Sequence, residues 1–576
     1  MTAKMPRKKI KIKLNGQQVS CDEGMTILQV AREKGIDIPT LCQHDDFPPH
    51  ANCRVCVVEV KNRKNLQTSC STKVEEGMEI ETNTDRVQKS RKTNLELIYA
   101  DHVEKCPDCL WRFNCPLLKY AKEYNLNINR FEDRKGDRKV YKFANAVELD
   151  ATQCIDCRNC IDACAMQGIN YLEIAGKGEN QEVRPVKDSK VQCILCGQCA
   201  VHCPVSAAQE QFNCADVEKL ISKKKKTKVA IFAPSIRVSI GEEFGLEPGE
   251  ETTDRIVSSL RQLGFDYVFD VNFAADVTTM VEAGELIERI VEKKPLPMMT
   301  SCCPAWVNYV EIYRPDLIPN ITTSRSPNMH MGGIIKTYWA QNMGIKPKDI
   351  EIVSVMPCTA KKYEASRGEM KVKGSLPVDY VLTNRELAFL LKKNEINLAK
   401  INPSQADNPL GEYSGAAAIY GASGGVMESA LRTAQYLACQ GSDDSLCDSR
   451  LEFEDVRGID GLKEAEVEIA GNKYNVAVVN GIGNIKKVLE KLDDYHYIEV
   501  MSCPGGCIGG GGQPIPTSWE IRKKRIEALY KHDKDRKIRK AHDNMAVKKV
   551  LDWLRAKGHH YEHSVLHTTY KKKKGY

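Results

Sequence analysis

Three short stretches far apart in the chain, Thr300-Ser301-Cys302-Cys303-Pro304-Ala305-Trp306, Met356-Pro357-Cys358-Thr359-Ala360-Lys361 and Glu499-Val500-Met501-Ser502-Cys503-Pro504-Gly505-Gly506-Cys507, each run from apolar residues into cysteine. Apolar runs of this length, alternating with helical patterns from Val229 onward, read as buried strands of an open α/β sheet (Val229 to Ala233, Tyr267 to Val271, Ile352 to Met356, Tyr497 to Met501). Ligands of such sheets sit beyond the carboxyl ends of the strands. Cys303, Cys358, Cys503 and Cys507 are therefore expected to converge on one rim. The glycines Gly505, Gly506 and Gly509 to Gly512 allow backbone to approach a bulky group closely.

Upstream, the cysteines fall into groups. Cys154, Cys157, Cys160 and Cys164 recur with identical spacing as Cys193, Cys196, Cys199 and Cys203, an internal duplication. The C-x2-C-x2-C-x3-C run is the pattern of two-cluster ferredoxins, in which the fourth cysteine of each run serves the other cluster. One [4Fe–4S] centre is thus assigned Cys154, Cys157, Cys160 and Cys203, the other Cys193, Cys196, Cys199 and Cys164. Pro204 follows the second run as in that pattern, whereas Ala165 replaces the proline of the first. Nearer the amino terminus, alternating Ile10, Ile12 and Leu14 before Asn15-Gly16 signal a hairpin, and a helical stretch over Thr26 to Lys34 precedes Cys42, Cys53, Cys56 and Cys70. Four thiolates on a small sheet suit a [2Fe–2S] cluster, with structural zinc as the alternative for any isolated C-x-x-C. A helix over Arg86 to Asp101 delivers His102 to a loop with Cys106, Cys109 and Cys115. That set suits zinc in isolation, but between two redox modules it is read as a histidine-ligated [4Fe–4S] cluster. Lys119 to Val147 reads as a polar connector, and the charged sequence beyond Trp519 as a helical appendage.

The 576 residues, 42% hydrophobic and 28% charged, suit a multidomain soluble protein. Twenty-four cysteines in a long chain point to metal sites more than to disulfides. Cys21, Cys214, Cys439 and Cys447 have no metal to serve and are expected as free buried thiols. Met1 to Leu14 is basic without an apolar core, and no apolar run could span a bilayer, so the expected location is the cytoplasm, off the membrane. The net charge of +7 comes largely from Lys223 to Lys226 and the segment after Arg522, ending in Lys571 to Lys574. These runs lack interleaved aromatics, which argues against nucleic acid; solvated surface or the docking of an acidic electron carrier remain.

The three cysteine stretches resemble the signature motifs of [FeFe]-hydrogenases, and the upstream modules resemble the multi-cluster bacterial (clostridial) type over essentially the whole chain. That resemblance implies a multidomain α+β and α/β fold. It comprises a β-grasp [2Fe–2S] domain (1–82), a Cys3His cluster domain (83–125), a two-cluster ferredoxin domain (126–213), an α/β catalytic domain with two parallel-sheet lobes (214–515) and a small-subunit-like helical segment (516–576). It also implies one [2Fe–2S] cluster, three accessory [4Fe–4S] clusters and an H-cluster. In the H-cluster Cys303, Cys358, Cys503 and Cys507 hold a [4Fe–4S] cubane, and Cys507 bridges it to a two-iron subsite carrying CO, cyanide and an azadithiolate.

By the same resemblance Lys361 bonds a cyanide, Pro234 and Ser235 contact the subsite, and Met356 and Met501 pack thioethers against it. Cys302 exchanges a proton with the azadithiolate nitrogen. Glu282, Glu285, Thr322 and Arg289 form the proton relay, with Thr322 where relatives often have serine. Ala305 and Ser502 depart from glycine and alanine next to the cofactor. The implied reaction is 2H⁺ + 2e⁻ ⇌ H₂, with ferredoxin or a similar low-potential carrier as partner and maturation proteins supplying the subsite. One rival is a subunit of an electron-bifurcating NADH/ferredoxin hydrogenase complex; no nucleotide motif is evident here, so other chains would bind the nucleotide. A non-enzymatic iron–sulfur assembly or sensor protein is a second, expected to lack part of the subsite surroundings. A complex-I-like electron-transfer subunit leaves the last four cysteines unexplained.

Overall fold

The computed structural model describes residues 8–102, 106–107, 109–439, 450–458 and 460–576. Lys9–Leu14 and Gln17–Asp22 pair antiparallel with Leu14 opposite Gln17. The two-residue turn is Asn15 (φ 49°) and Gly16 (φ 78°), both left-handed as such a hairpin requires. Ile10, Ile12 and Leu14 point inward against the helix Ile27–Glu33, which Thr26 and Gln29 close with a reciprocal capping box. Glu79–Glu81, Val57–Val60 and Gln67–Thr68 complete a five-stranded sheet. The helix Asp85–Ala100, capped by the Thr84 hydroxyl, then carries the chain to His102.

The stretch expected as a polar connector is more ordered than its composition suggests. Pro116–Glu123 is helical, burying Leu117 and Tyr120, and Val140–Phe143 is a strand paired with Val147–Asp150. The duplicated cysteine run is duplicated in conformation too. Asp156 (φ 55°) and Arg158 (φ 72°) in the first copy match Leu195 (φ 65°) and Gly197 (φ 70°) in the second, and a helix follows each. The copies differ in what lies outside. A Cβ on Gly197 would collide with the Thr359 side chain and approach the Cα of Gly511 to 3.0 Å, so only glycine lets this copy press against the downstream loops.

Beyond residue 226 two sheets form. The first is wholly parallel, in the order Tyr267–Asp270, Thr227–Phe232, Ile350–Met356, Tyr380–Thr383. The second is mixed, correcting the expectation of two parallel lobes. Met298–Met299, Tyr497–Met501 and Asn472–Asn480 run parallel, but Leu462–Ile469 closes the edge as an antiparallel hairpin arm. That arm alternates exposed glutamates with Val467 and Ile469, the pattern of a strand with one wet face.

The carboxyl-terminal helices Trp519–Asp535, Met545–Ala556 and His559–Leu566 are integral rather than appended. Val547, Val550, Leu551, Leu554, Val565 and Leu566 belong to the core of the first sheet. The inward face of Trp519–Asp535 is largely charged, which hid its burial. Arg525 bonds Glu242 and the carbonyl of Ile508, and Arg522 holds both carboxylate oxygens of Asp46 at 2.9 and 2.7 Å. Cys21 and Cys214 are free and buried as expected. Cys439, however, is disulfide-bonded, and Cys447 lies outside the described residues.

Candidate functional site: a four-thiol cavity fed from two sides

The carboxyl ends of strands from both sheets line one cavity. The first sheet contributes Pro234 and Ser235 after Phe232, and Cys358 and Lys361 after Met356; the second contributes Cys302 and Cys303 after Met299, and Cys503 and Cys507 after Met501. All four candidate ligands thus face one space with Cys302, Met356 and Met501. Burial pushes the Cys358 thiol up to about 12 and those of Cys503 and Cys507 higher, although the Lys361 ammonium acts against it at Cys358 and Cys507. Four such sulfurs together are poor free thiols but a good donor set for iron, which takes them as thiolates. The Cys303 sulfur lies 3.4 Å from the Ser502 hydroxyl, a contact an alanine at this position would lack.

Lys361 is buried at this wall. Its ammonium donates to the carbonyl of Cys302 at 3.1 Å and to both oxygens of Glu364 at 3.0 and 2.8 Å. Burial disfavours the charge, yet Glu364 and the sulfurs of Cys358 and Cys302 hold the lysine above its ordinary pKa. Glu364 escaped the sequence reading, although a carboxylate three residues after a lysine on one helix is a readable signal. Asn328, also in the wall, has a buried amide nitrogen with no hydrogen-bond partner among the described residues. A sulfur-ligated iron group bearing acceptor ligands fits these donors.

Upstream, Cys203 acts electrostatically on Cys154, Cys157 and Cys160, and Cys164 on Cys193, Cys196 and Cys199, with Cys199 also acting on Cys160 and Cys203 on Cys199. Cys42 pairs with Cys53, and Cys56 with Cys70, by sulfur hydrogen bonds. His102, Cys106, Cys109 and Cys115 line one pocket, and His102 Nδ1 sits 3.0 Å from the carbonyl of Gln153, next to Cys154. An Nδ1–H donated there fixes the tautomer that offers Nε2 as a ligand.

The groups are also contiguous. Cys53 acts on Cys157, Cys358 on Cys196, and Cys196 on Cys503. At the last junction the Thr359 hydroxyl donates to Leu195 O at 2.9 Å and the Gln198 amide to Gly509 O at 3.0 Å.

On the other side, the helix Asn272–Val291 carries Glu282, Glu285 and Arg289. Glu282 is buried and accepts from the Tyr497 hydroxyl at 3.0 Å. Burial raises its pKa to about 8, opposed by Tyr497 and assisted by the negative charge of Glu285. Burial, then Glu282, pushes the Cys302 thiol well above its usual value, so Cys302 carries its proton. The Thr322 hydroxyl donates to Glu285 Oε2 at 2.7 Å and Arg289 grips Glu285 Oε1 at 2.7 Å. Tyr497 was missed by sequence reading because its partner lies 215 positions away.

Family models match the chain in four places. The longest match, over residues 226–511, is to the C-terminal domain of the large chain of iron-only hydrogenases. The others are a 2Fe-2S iron-sulfur cluster binding domain (7–85), a 4Fe-4S dicluster domain (153–207) and the iron hydrogenase small subunit (519–573). Iron hydrogenase 1 of Clostridium pasteurianum is 41% identical over 97% of this chain and 99% of its own length. The NADP-reducing hydrogenase subunit HndD of Solidesulfovibrio fructosivorans is 38% identical over 98% and 99%. A solved structure of a variant of [FeFe]-hydrogenase HydA1 from Chlamydomonas reinhardtii superposes with a TM-score of 0.55 at 37% identity, covering 63% of this chain and 99% of that one. With near-complete coverage of such relatives and the cavity formed from the matched region, the chain belongs to the iron-only, or [FeFe], hydrogenase family.

Proposed function

We propose that this hydrogenase interconverts protons and H₂ (2H⁺ + 2e⁻ ⇌ H₂) in the cavity of Cys303, Cys358, Cys503 and Cys507. These cysteines would hold the [4Fe–4S] part of the H-cluster, with Cys507 serving its two-iron subsite as well. When bound, that group supplies the redox centre at which electrons and protons are combined. Lys361 would present a fixed positive charge to its cyanide ligands, and Glu364 balances that charge from behind. Pro234, Ser235, Met356 and Met501 shape the wall and keep water out. Cys42, Cys53, Cys56 and Cys70 would hold a [2Fe–2S] cluster, His102, Cys106, Cys109 and Cys115 a [4Fe–4S] cluster, and the duplicated runs the two crossed clusters, which together would supply the electron route. A β-grasp fold for the first of these domains belongs to the same reading.

Protons take the other side. Cys302, neutral and buried, gives and takes the proton at the cavity. Glu282, held near neutrality by its surroundings, exchanges with it; Thr322, Glu285 and Arg289 continue outward. A base whose pKa lies near the working pH passes protons in both directions with little loss of driving force. The observation that carries the reading is the placement of Cys302 in the same cavity as the four ligand thiols, with Glu282 the strongest charge acting on it.

Ferredoxin or a similar low-potential carrier is the partner in the cytoplasm, and maturation proteins deliver the subsite. Among the described residues no helix is long and apolar enough to cross a membrane. A second reading, a subunit of a multi-chain NAD(P)H-linked complex, is favoured by one observation, the 38% identity to HndD over nearly the whole chain.

The test is Cys302→Ala. Iron content and the infrared bands of the loaded subsite stay as in wild type while turnover falls by ~10²-fold or more, the scale of general acid–base catalysis. Wild-type turnover in the loaded variant removes Cys302 from the route.

A further inference from the structure

Outside Glu285 lies a second cavity, whose wall includes Glu288, Arg289 and Thr323 together with three histidines of the carboxyl-terminal segment. His559, His563 and His567 are spaced by four, which places them on one face of the helix His559–Leu566 and its first following residue. Their rings form a row. The centroids of His559 and His563 are 6.1 Å apart, and those of His563 and His567 are 4.7 Å apart and stacked. The row grades from outside inward: His559 and His563 are exposed and His567 is half-buried.

The inner end of the row touches the relay. His567 Nδ1 is 2.8 Å from the Thr323 hydroxyl, and that hydroxyl donates to Glu285 Oε2 at 3.0 Å, the oxygen that also accepts from Thr322. Because the Thr323 proton points to Glu285, its oxygen is left to accept the Nδ1–H of His567. The direction of all three groups is thereby defined. Arg325 Nε donates to the carbonyl of His567 at 2.8 Å, fixing the ring's backbone.

We infer that the histidine row is the proton entrance of this enzyme and that His567, acting through Thr323, is the positioning residue that hands protons to Glu285. This rests on the reading of Glu285 as part of the relay. For an inward transfer, the His567 Nδ1 proton passes to Thr323 Oγ1 as the Thr323 proton passes to Glu285 Oε2. In the same movement His567 Nε2 takes a proton from His563 or from the cavity, so the ring passes from one neutral tautomer to the other, and a turn of the ring restores the start; charge and atoms balance. The ring must stay neutral between transfers. Burial and His563 lower the His567 pKa to about 4, with Arg325 acting the same way against Glu285 and Glu288. Lys294, Arg555 and Glu562 complete the charged lining, so the mouth carries both signs. A neutral imidazole with one donor and one acceptor nitrogen relays without trapping the proton.

The experiment uses the loaded holoenzyme with a saturating artificial electron donor. His567→Gln and Thr323→Val should each lower proton-reducing turnover by ~10-fold or more, within the range for a lost proton-transfer group, with a larger solvent deuterium isotope effect and an unchanged KM for the donor. Added imidazole should restore His567→Ala several-fold and leave Thr323→Val unrestored. A readout independent of turnover is the infrared band of the Glu282 carboxyl in protein lacking the two-iron subsite. Its shift from COOH to COOD on transfer to D₂O should be slowed in His567→Gln.

If Glu285→Gln is inactive while His567→Gln and Thr323→Val keep wild-type turnover and exchange, the histidine entrance is wrong and the relay stands. Wild-type turnover in Glu285→Gln overturns the relay itself. Lost turnover with no imidazole rescue, no change in isotope effect and no change in exchange reduces His567 to a structural role and overturns the inference. Should His567 variants fail to fold, Thr323→Val and His563→Gln decide it by the same readouts.

Discussion

The cysteine tract from Cys42 to Cys203, proposed to serve the cavity with electrons, and the helix bearing Glu282 and Glu285, proposed to serve it with protons, are built differently. The tract places its active atoms by local spacing. Cysteines three apart sit on tight turns, with left-handed Asp156, Arg158, Leu195 and Gly197 as corners. The helix places its groups by long-range hydrogen bonds: Tyr497 to Glu282, Thr322 and Thr323 to Glu285, His567 to Thr323. Electrons cross gaps between cofactors without atomic contact, so a cluster route tolerates spacing. A proton moves only as far as a hydrogen bond, so its route demands contact at every step.

Breaking the electron side at one cluster should therefore interrupt physiological transfer without touching the cavity. His102→Ala replaces an imidazole ligand and should change the electron paramagnetic signal of one cluster. Turnover with a protein electron carrier should fall by ~10-fold or more, while turnover with a small artificial donor persists, as expected when a metal ligand and not the catalytic chemistry is lost. Equal loss with both donors would mean that His102 supports the fold instead.

The proton side yields a subtler effect, in stability. Glu282 has its pKa raised to about 8 by burial, whereas the unfolded carboxyl titrates near 4.5. Below the lower value both states hold the proton and Glu282 is neutral to stability. Between the two values the folded state keeps a proton the unfolded state has released, so stability falls as pH rises through this window. Glu282→Gln removes that slope, and the variant should gain on the order of 2–4 kcal/mol relative to wild type between pH 4.5 and pH 8. Denaturant unfolding at the two pH values measures it; parallel slopes would show that Glu282 is not desolvated.

The same contrast explains what could be read from sequence. The cysteine spacings, the Asn15-Gly16 hairpin and the apolar runs ending at Cys358 and Cys503 are local patterns, and the structure brings the last four cysteines to one cavity. The edge arm Leu462–Ile469 was hidden by its glutamates, which a strand wet on one face carries normally. The helix Trp519–Asp535 read as an appendage because buried Arg522 and Arg525 look like surface charge until Asp46 and Glu242 are placed beside them. Tyr497 and His567 could not be assigned at all, since their partners are fixed by packing between distant segments. Lys361 was identified through its motif, but its balancing carboxylate Glu364 needed only the spacing of three on a helix.

The central claim is that Cys303, Cys358, Cys503 and Cys507 form one iron site whose wall receives cyanide and carbonyl ligands. Infrared spectroscopy of the protein after maturation measures this most directly. The account predicts sharp CO and cyanide stretching bands, with the cyanide bands displaced in Lys361→Asn. A protein with its full complement of iron and sulfide that shows no such bands after maturation would contradict it.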